Sequence, residues 1–295
     1  DGIIKTKFEY DSNNKLSRFE VRNARFGAKG NVTENFSYRV EIDLSDEGKI
    51  KMLDAWANYS PIKNLNFKLG QIKIPFGTDY LRNPADNMFA NRSFVAKYVN
   101  DGLRDIGAAA NYKFIAGIPI ELHLAATNGT GSNNPKWIKT LNYSSRLILE
   151  PFSGFFIKGN VYAGSTEKES RLKMYSAELS YAKNSFFIES EYIYRTWSSY
   201  SGTNLEANGL YIHANYKFLV AKKQLSYILP TIRYDEMGSG VFINSSTAER
   251  VTVGINFGFD QKKFLAEIRL NYEDYFKSAN LNHTNKFTIE FVAKF

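Results

Sequence analysis

Few side chains in this sequence have the type and spacing to do covalent chemistry. Glu189 and Glu191 stand two apart, on one face of an extended segment, and could pair as acid and base. Two carboxylates lining a polar surface explain them more simply. The acidic run Asp43–Glu47 carries oxygen ligands of the kind that hold calcium, or is a solvated loop. His123, His213 and His283 lie far apart and cysteine is absent, so no metal-ligand cluster, thiol nucleophile or disulfide framework is expected. No Ser-His-Asp set, P-loop or dinucleotide fingerprint occurs. The sequence therefore predicts no catalytic residue, no metal and no cofactor. What remains is charge. Between Gln71 and Gly107 stand Lys73, Arg82, Arg92, Lys97 and Arg104, opposed by Asp79, Asp86, Asp101 and Asp105. The surplus of about one positive charge suits a mild attraction for small anions in a narrow, low-dielectric passage, and does not suit strict selection of phosphate.

The elements that would position these charges are strands. Apolar and polar residues alternate over about ten positions along the whole chain. Phe36, Tyr38, Val40 and Ile42 alternate with Ser37, Arg39, Glu41 and Asp43; Leu210, Ile212, Ala214, Tyr216 and Phe218 alternate with Tyr211, His213, Asn215 and Lys217. This predicts sixteen strands, near 3–10, 17–29, 34–43, 50–59, 64–73, 104–114, 118–128, 139–150, 154–164, 170–182, 185–197, 206–219, 224–235, 248–259, 263–273 and 286–295. The phase slips at Asn23–Arg25 and around Gly70, where bulges are expected. A ~25 Å apolar band crossed at ~45° needs about 10–11 residues, which these segments supply. No run reaches the ~20 apolar residues of a transmembrane helix, and no signal segment opens the sequence, as in a mature exported chain.

Connections alternate in kind. Gly30–Val32, Ser60–Lys63, Ile115–Gly117, Pro151–Ser153, Lys183–Asn184, Val220–Lys223 and Asp260–Lys262 are short. Asp11–Lys15, Leu44–Lys49, Ile74–Leu103, Gly129–Lys136, Ser165–Glu169, Ser198–Leu205, Glu236–Ala248 and Phe276–Asn285 are longer and more polar. That rhythm predicts an all-β, sixteen-stranded antiparallel transmembrane barrel occupying 1–295 as one domain, with both termini on the tight-turn side. Aromatics at segment ends (Tyr59, Phe155, Phe156, Tyr181, Phe186, Phe187, Phe218, Tyr234, Phe257, Phe259, Tyr272 and Phe295) predict interfacial girdles. If the apolar positions meet lipid, Arg39, Lys68, Arg146, Arg195, Lys217, Arg233 and Arg269 line a wet lumen, where they attract anions or pair with carboxylates across strands.

Several runs resemble the phosphate-selective porin O and P family: FEVRNARFGAKG (Phe19–Gly30), FSYRVEIDL (Phe36–Leu44), LDAWANYSPIKNLNFKLGQIKIPFG (Leu53–Gly77), GLRDIGAA (Gly102–Ala109), ATNGTG (Ala126–Gly131), GLYIHANYKF (Gly209–Phe218) and the terminal FVAKF. The resemblance implies an outer-membrane barrel, a homotrimer, and a third long loop, about 74–103, folded inward as a constriction. It also implies that the terminal Phe295 signals membrane assembly. The outer loops are shorter than the family pattern. The expected function is passive diffusion of small hydrophilic solutes across a bacterial outer membrane, with a mild anion, possibly phosphate, preference. The expected partners are membrane lipids, lipopolysaccharide and small anionic or neutral solutes, not nucleic acid, and both termini would be periplasmic. The competing expectation is a non-conducting scaffold barrel plugged by the 74–103 loop.

Overall fold

A computed structural model describes residues 1–46, 48–100, 103–167, 169–220, 224–239, 245–259, 264–278 and 284–295. Glu47, Asp101 and His283, with parts of the connections at Val220–Lys223, Glu236–Ala248, Asp260–Lys262 and Phe276–Asn285, lie outside the described residues. Sixteen antiparallel strands form one closed sheet. They are β1 (Gly2–Asp11), β2 (Leu16–Asn31), β3 (Phe36–Asp46), β4 (Lys49–Ile62), β5 (Leu65–Lys73), β6 (Arg104–Ala116), β7 (Ile118–Thr127), β8 (Asn142–Phe152), β9 (Phe155–Gly164), β10 (Glu169–Lys183), β11 (Phe186–Ser199), β12 (Asn204–Tyr216, continued by Phe218–Leu219), β13 (Tyr227–Ser239), β14 (Ser245–Gly258), β15 (Leu265–Ser278) and β16 (Lys286–Lys294). Both pieces of β12 pair with β13, so Lys217 marks a break in one strand.

Each strand pairs with its sequence neighbours, and β1 pairs with β16 from Ile3↔Lys294 to Asp11↔Lys286. Reciprocal backbone bonds between Gly2 and Phe295 (2.6 and 3.0 Å) finish the seam. The ring of Phe295 lies over Gly2, where a Cβ would meet it at 2.6 Å, and edge-on to Phe26. Tight turns are built where Asn64, Gly117, Gly154 and Asn184 take positive φ, the conformation that lets a short hairpin follow the strand twist.

The expected alternation sets the two faces. Phe19, Leu69, Val161, Ile212, Ile232 and Phe291 are exposed on the outer surface, while Glu41, Asp43, Arg146, Glu178, Arg233 and Glu290 are buried inside. Outward rings cluster at the tight-turn ends, including stacked Phe36–Tyr59 and Phe152–Phe155, each at 4.7 Å. Phe187 is not among them. It shares the parity of Glu189 and Glu191, and its ring meets His213 inside. Phe156 likewise shares the inward parity of Lys158 and Asn160.

The slip near Asn23 is a bulge: Lys5 pairs with Asn23 and Thr6 with Val21, which leaves Arg22 extra. Around Gly70 there is no bulge, and pairing with β4 and β6 continues in register. Gly70 instead takes φ 134°, with the position of a Cβ only 2.2 Å from the Ala55 carbonyl oxygen. That backbone region is open essentially to glycine alone. Gly70→Ala should destabilise the folded barrel by about 1–3 kcal/mol, read as a lower urea midpoint in lipid vesicles; an unchanged midpoint would contradict this account.

Candidate functional site: a charged lumen narrowed by the β5–β6 connection

Inward parity is not polar throughout. Tyr162, Leu172, Met174, Ile193 and Tyr211 point inward from β9 to β12, each at most 2% exposed. Against them pack Ile74, Phe76, Val95 and Val99 of the β5–β6 connection. Each such side chain removed from water contributes about 1.5–3 kcal/mol. This patch explains why the connection lies against the wall between β9 and β12 rather than outside.

Hydrogen bonds then set its position. Gly77 turns the chain at φ 75°, where a Cβ would come within 2.8 Å of Glu191 Oε1. The amides of Thr78 and Asp79, opening the short helix α1 (Thr78–Leu81), donate to the Glu191 carboxylate at 3.0 and 3.1 Å. Lys73 Nζ donates to the carbonyls of Tyr80, Leu81 and Arg82 at the other end of α1. Asn83 caps the 3-10 turn Pro84–Asp86. Farther on, four wall arginines clamp backbone carbonyls of the connection. Arg269 donates to Ala85 O at 2.7 Å, Arg233 to Asn91 O at 3.1 Å, Arg250 to Arg92 O at 3.0 Å and Arg195 to Val99 O at 2.9 Å. Each also holds a wall carboxylate: Glu267 and Glu290 for Arg269, Asp235 for Arg233, Asp235 and Glu273 for Arg250, and Glu169 for Arg195. In the reverse sense Asp235 accepts from Phe94 N and Asn271 from Ala90 N.

Arg195, Arg233 and Arg269 therefore face inward but are spent on carboxylates and loop carbonyls. Arg146 is similarly engaged, by Glu178, Asn160 and Thr78. Arg39 pairs with Glu41, Asp1 and Asp54. Lys217 sits outside the clamps, its ammonium 4.0 Å from the Tyr227 ring. Lys68 lies over Trp56. Glu189 and Glu191 are wall acceptors for the connection: Glu189 takes Arg82 at 2.6 Å, with Tyr211 and His213 beside it.

The connection fills one side of the lumen, and two large spaces remain beside it among the described residues. One, about 820 Å³, opens toward the long connections. It is bordered by Lys5 and Lys7 of β1, Arg18, Arg22 and Arg25 of β2, Lys51, Lys73, Arg104, Arg250 and Lys286, together with Arg92 and Lys97 of the connection. Glu20 is the one carboxylate among the described residues bordering it. The second, about 690 Å³, opens toward the tight turns and is bordered by Asp54, Trp56, Lys68, Lys113, Glu121 and His123 among others. Lys73 borders both. Arg82 borders neither, lying instead in a small recess with Asp79, Phe89, Tyr211, His213 and Arg233.

Carboxylates stand behind the cations of the first space. Glu290 holds Lys5, Glu9 holds Lys7 and Arg18, Asp43 holds Arg25 and Asp54 holds Arg104. Asp79, almost fully buried, accepts from Ser93 N and Oγ and from Arg92. Burial alone would raise its carboxyl; Arg92, Arg82 and Arg233 together with Ser93 hold it at about 2. The sequence count of five bases against four acids missed this segregation. Arg18 has the inward parity that alternation predicts, whereas Lys5, Lys7, Arg22, Arg25 and Lys51 were missed, although Lys5 and Lys7 already alternate with Ile4, Thr6 and Phe8. A second connection also reaches in. Asn133 N donates to Gln71 Oε1 at 2.6 Å, and Asn133 Nδ2 donates to Met52 O.

Two outcomes follow from the clamps. Arg250→Met should destabilise by up to about 3–5 kcal/mol, less to the extent that Arg233 and Lys286 still hold Asp235 and Glu273, and should raise current noise in planar bilayers. Asp79 is depressed from 3.8 to about 2, so its contribution is complete above pH 4 and is lost as pH falls toward 2. Single-channel conductance should change across that window, and Asp79→Asn should show the altered level already at pH 7.

Residues 5–146 match the family described as phosphate-selective porin O and P. No curated protein matches the chain. Over 99–100% of this chain the fold is similar to solved outer-membrane proteins. OmpF of Salmonella typhi in complex with daunomycin has 12% identity and a TM-score of 0.69, with 96% of that chain covered. An anion-selective porin from Comamonas acidovorans has 8% identity and a TM-score of 0.68, with 97% covered. The trimer form of OmpT from Vibrio cholerae has 12% identity and a TM-score of 0.63, with 96% covered. These likenesses establish the shared barrel of outer-membrane porins, and the first half of the chain is similar in sequence to the phosphate-selective porin O and P family.

Proposed function

We propose that the protein lets small hydrophilic solutes diffuse passively through the barrel, with a mild preference for anions, phosphate among them. The observation that carries this reading is the segregation of charge at the wider space: ammonium and guanidinium groups border it, and most carboxylates stand behind them. At an effective dielectric near 20, a unit charge ~4 Å away acts with about 4 kcal/mol, and one twice as far with about half that. An ion in the passage therefore feels the cations first, although the surplus charge is small. Spaces on both sides of Lys73 favour a conducting path over a plugged scaffold. The long connections would face outward toward lipopolysaccharide, with tight turns and both termini in the periplasm. Phe295, which closes the seam, would serve as the assembly signal.

On the outer face a shallow apolar groove, about 800 Å³, is lined by small residues such as Ala57, Ala108, Ala110, Ala126 and Ala163. Such small side chains would let a second barrel approach closely, which favours a homotrimer, and the protein mass in detergent tests it.

The decisive measurement is reversal potential across a chloride gradient. Anion preference should be present at ~0.1 M salt and fade near ~1 M, where the screening length drops to about 3 Å. Replacing Arg22, Arg25 and Lys51 with glutamine should move it toward neutrality. Deleting Thr78–Lys97 should widen an already conducting channel. Cation preference in the parent protein, or conductance seen only after the deletion, would sink this reading.

A further inference from the structure

The space on the tight-turn side differs in chemistry from the basic one. Lys68 of β5 projects into it with its ammonium 4.6 Å from the ring centroid of Trp56, and it makes no salt bridge or hydrogen bond among the described residues. Its lumen neighbours of like type are all engaged: Arg39 with Glu41, Arg104 with Asp54, Lys113 with Glu121. Asn58, on the same wall, is buried, yet its Oδ1 accepts no hydrogen bond among the described residues. Its Nδ2 reaches Ser60 and Asn66, and the Asn66 oxygen accepts from Ser60 Oγ at 2.8 Å. A buried amide oxygen without a donor costs about 1–3 kcal/mol. A cation without a hydrogen-bonding partner, a large flat ring and an orphaned acceptor thus border one cavity of about 690 Å³, within the usual range for small-molecule sites.

We propose that this vestibule is a low-affinity binding site for anionic polyols, that is, sugar phosphates or sugar acids, on their way through the channel. Lys68 takes the anionic group, the Trp56 ring takes the apolar C–H surface of the sugar, and hydroxyls satisfy Asn58 Oδ1 and the Asn66 amide. Inorganic phosphate would use Lys68 and leave the ring and the amide oxygen unmet. An aromatic carboxylate would use the ring and Lys68 but has no donor for Asn58. The assignment rests on the anion-biased channel proposed above and narrows the solutes it handles.

The test is block of chloride current in planar bilayers by glucose 6-phosphate, inorganic phosphate, glucose or benzoate added on the tight-turn side. Glucose 6-phosphate should half-block at a concentration about fivefold lower than any of the others, a difference of ~1 kcal/mol. Lys68→Gln should bring glucose 6-phosphate and glucose together, and Trp56→Ala should bring glucose 6-phosphate and inorganic phosphate together. Fluorescence supplies a readout that needs no conduction. The chain has three tryptophans, and in a Trp137→Phe, Trp197→Phe background only Trp56 reports. Its emission should saturate with glucose 6-phosphate and not with inorganic phosphate. Equal block by all four solutes, a response as strong to benzoate, or unsaturated emission would overturn the site. Such a failure in a channel that still prefers chloride would leave the diffusion reading intact, whereas loss of chloride preference itself would overturn that reading.

Discussion

In hydrocarbon a peptide N–H or C=O without a partner costs several kcal/mol, so the ladder between β1 and β16 is the constraint on which the rest depends. An open edge anywhere in the sheet would be untenable in the membrane. Closure leaves the outside mostly apolar and sends every second side chain into an enclosed, largely polar interior. The seam ends on Phe295, whose backbone pairs with Gly2 and whose ring covers it. A Cβ at residue 2 would push that ring aside, so Gly2 and Phe295 are matched sterically as well as by hydrogen bonds.

The enclosed charges then have to be satisfied among themselves. Arg269 is fully buried between Glu267 and Glu290, and Arg250 is buried between Asp235 and Glu273. Buried ion pairs seldom add much net stability, because desolvation consumes most of the Coulomb gain. Their effect here is positional. With its carboxylates in place, each guanidinium has an N–H left over, and that donor is directed at a carbonyl of the β5–β6 connection. The connection's own helix, four residues long, is too short to persist alone. It is held by Glu191 at its start and Lys73 at its end.

Docking the connection on β9–β12 decides where the passage runs. The apolar patch and the clamps occupy the wall from β8 round to β16, which leaves the passage against β1–β7. The strands on that side supply Lys5, Lys7, Arg18, Arg22, Arg25 and Lys51 on the wide side and Trp56 and Lys68 on the other. The two vestibules thus differ in character, one a field of cations and the other a mixed surface with a half-buried ring. Lys73 stands between them.

Alternation alone determined the sixteen strands, their faces and the order of short and long connections, because a period of two in a lipid-facing strand leaves little freedom. Docking of the connection was partly legible as well: Leu172, Met174 and Ile193 break the polar parity of β10 and β11, a signal that a second layer covers them. Tertiary structure alone decided which charges meet solute. Arg82 and Arg92 stand ten residues apart in one loop, yet Arg82 pairs with Glu189 at the wall while Arg92 borders the passage. Charge counted along a chain carries no information on which side of a backbone an ion faces. In an enclosed lumen, that facing sets the field.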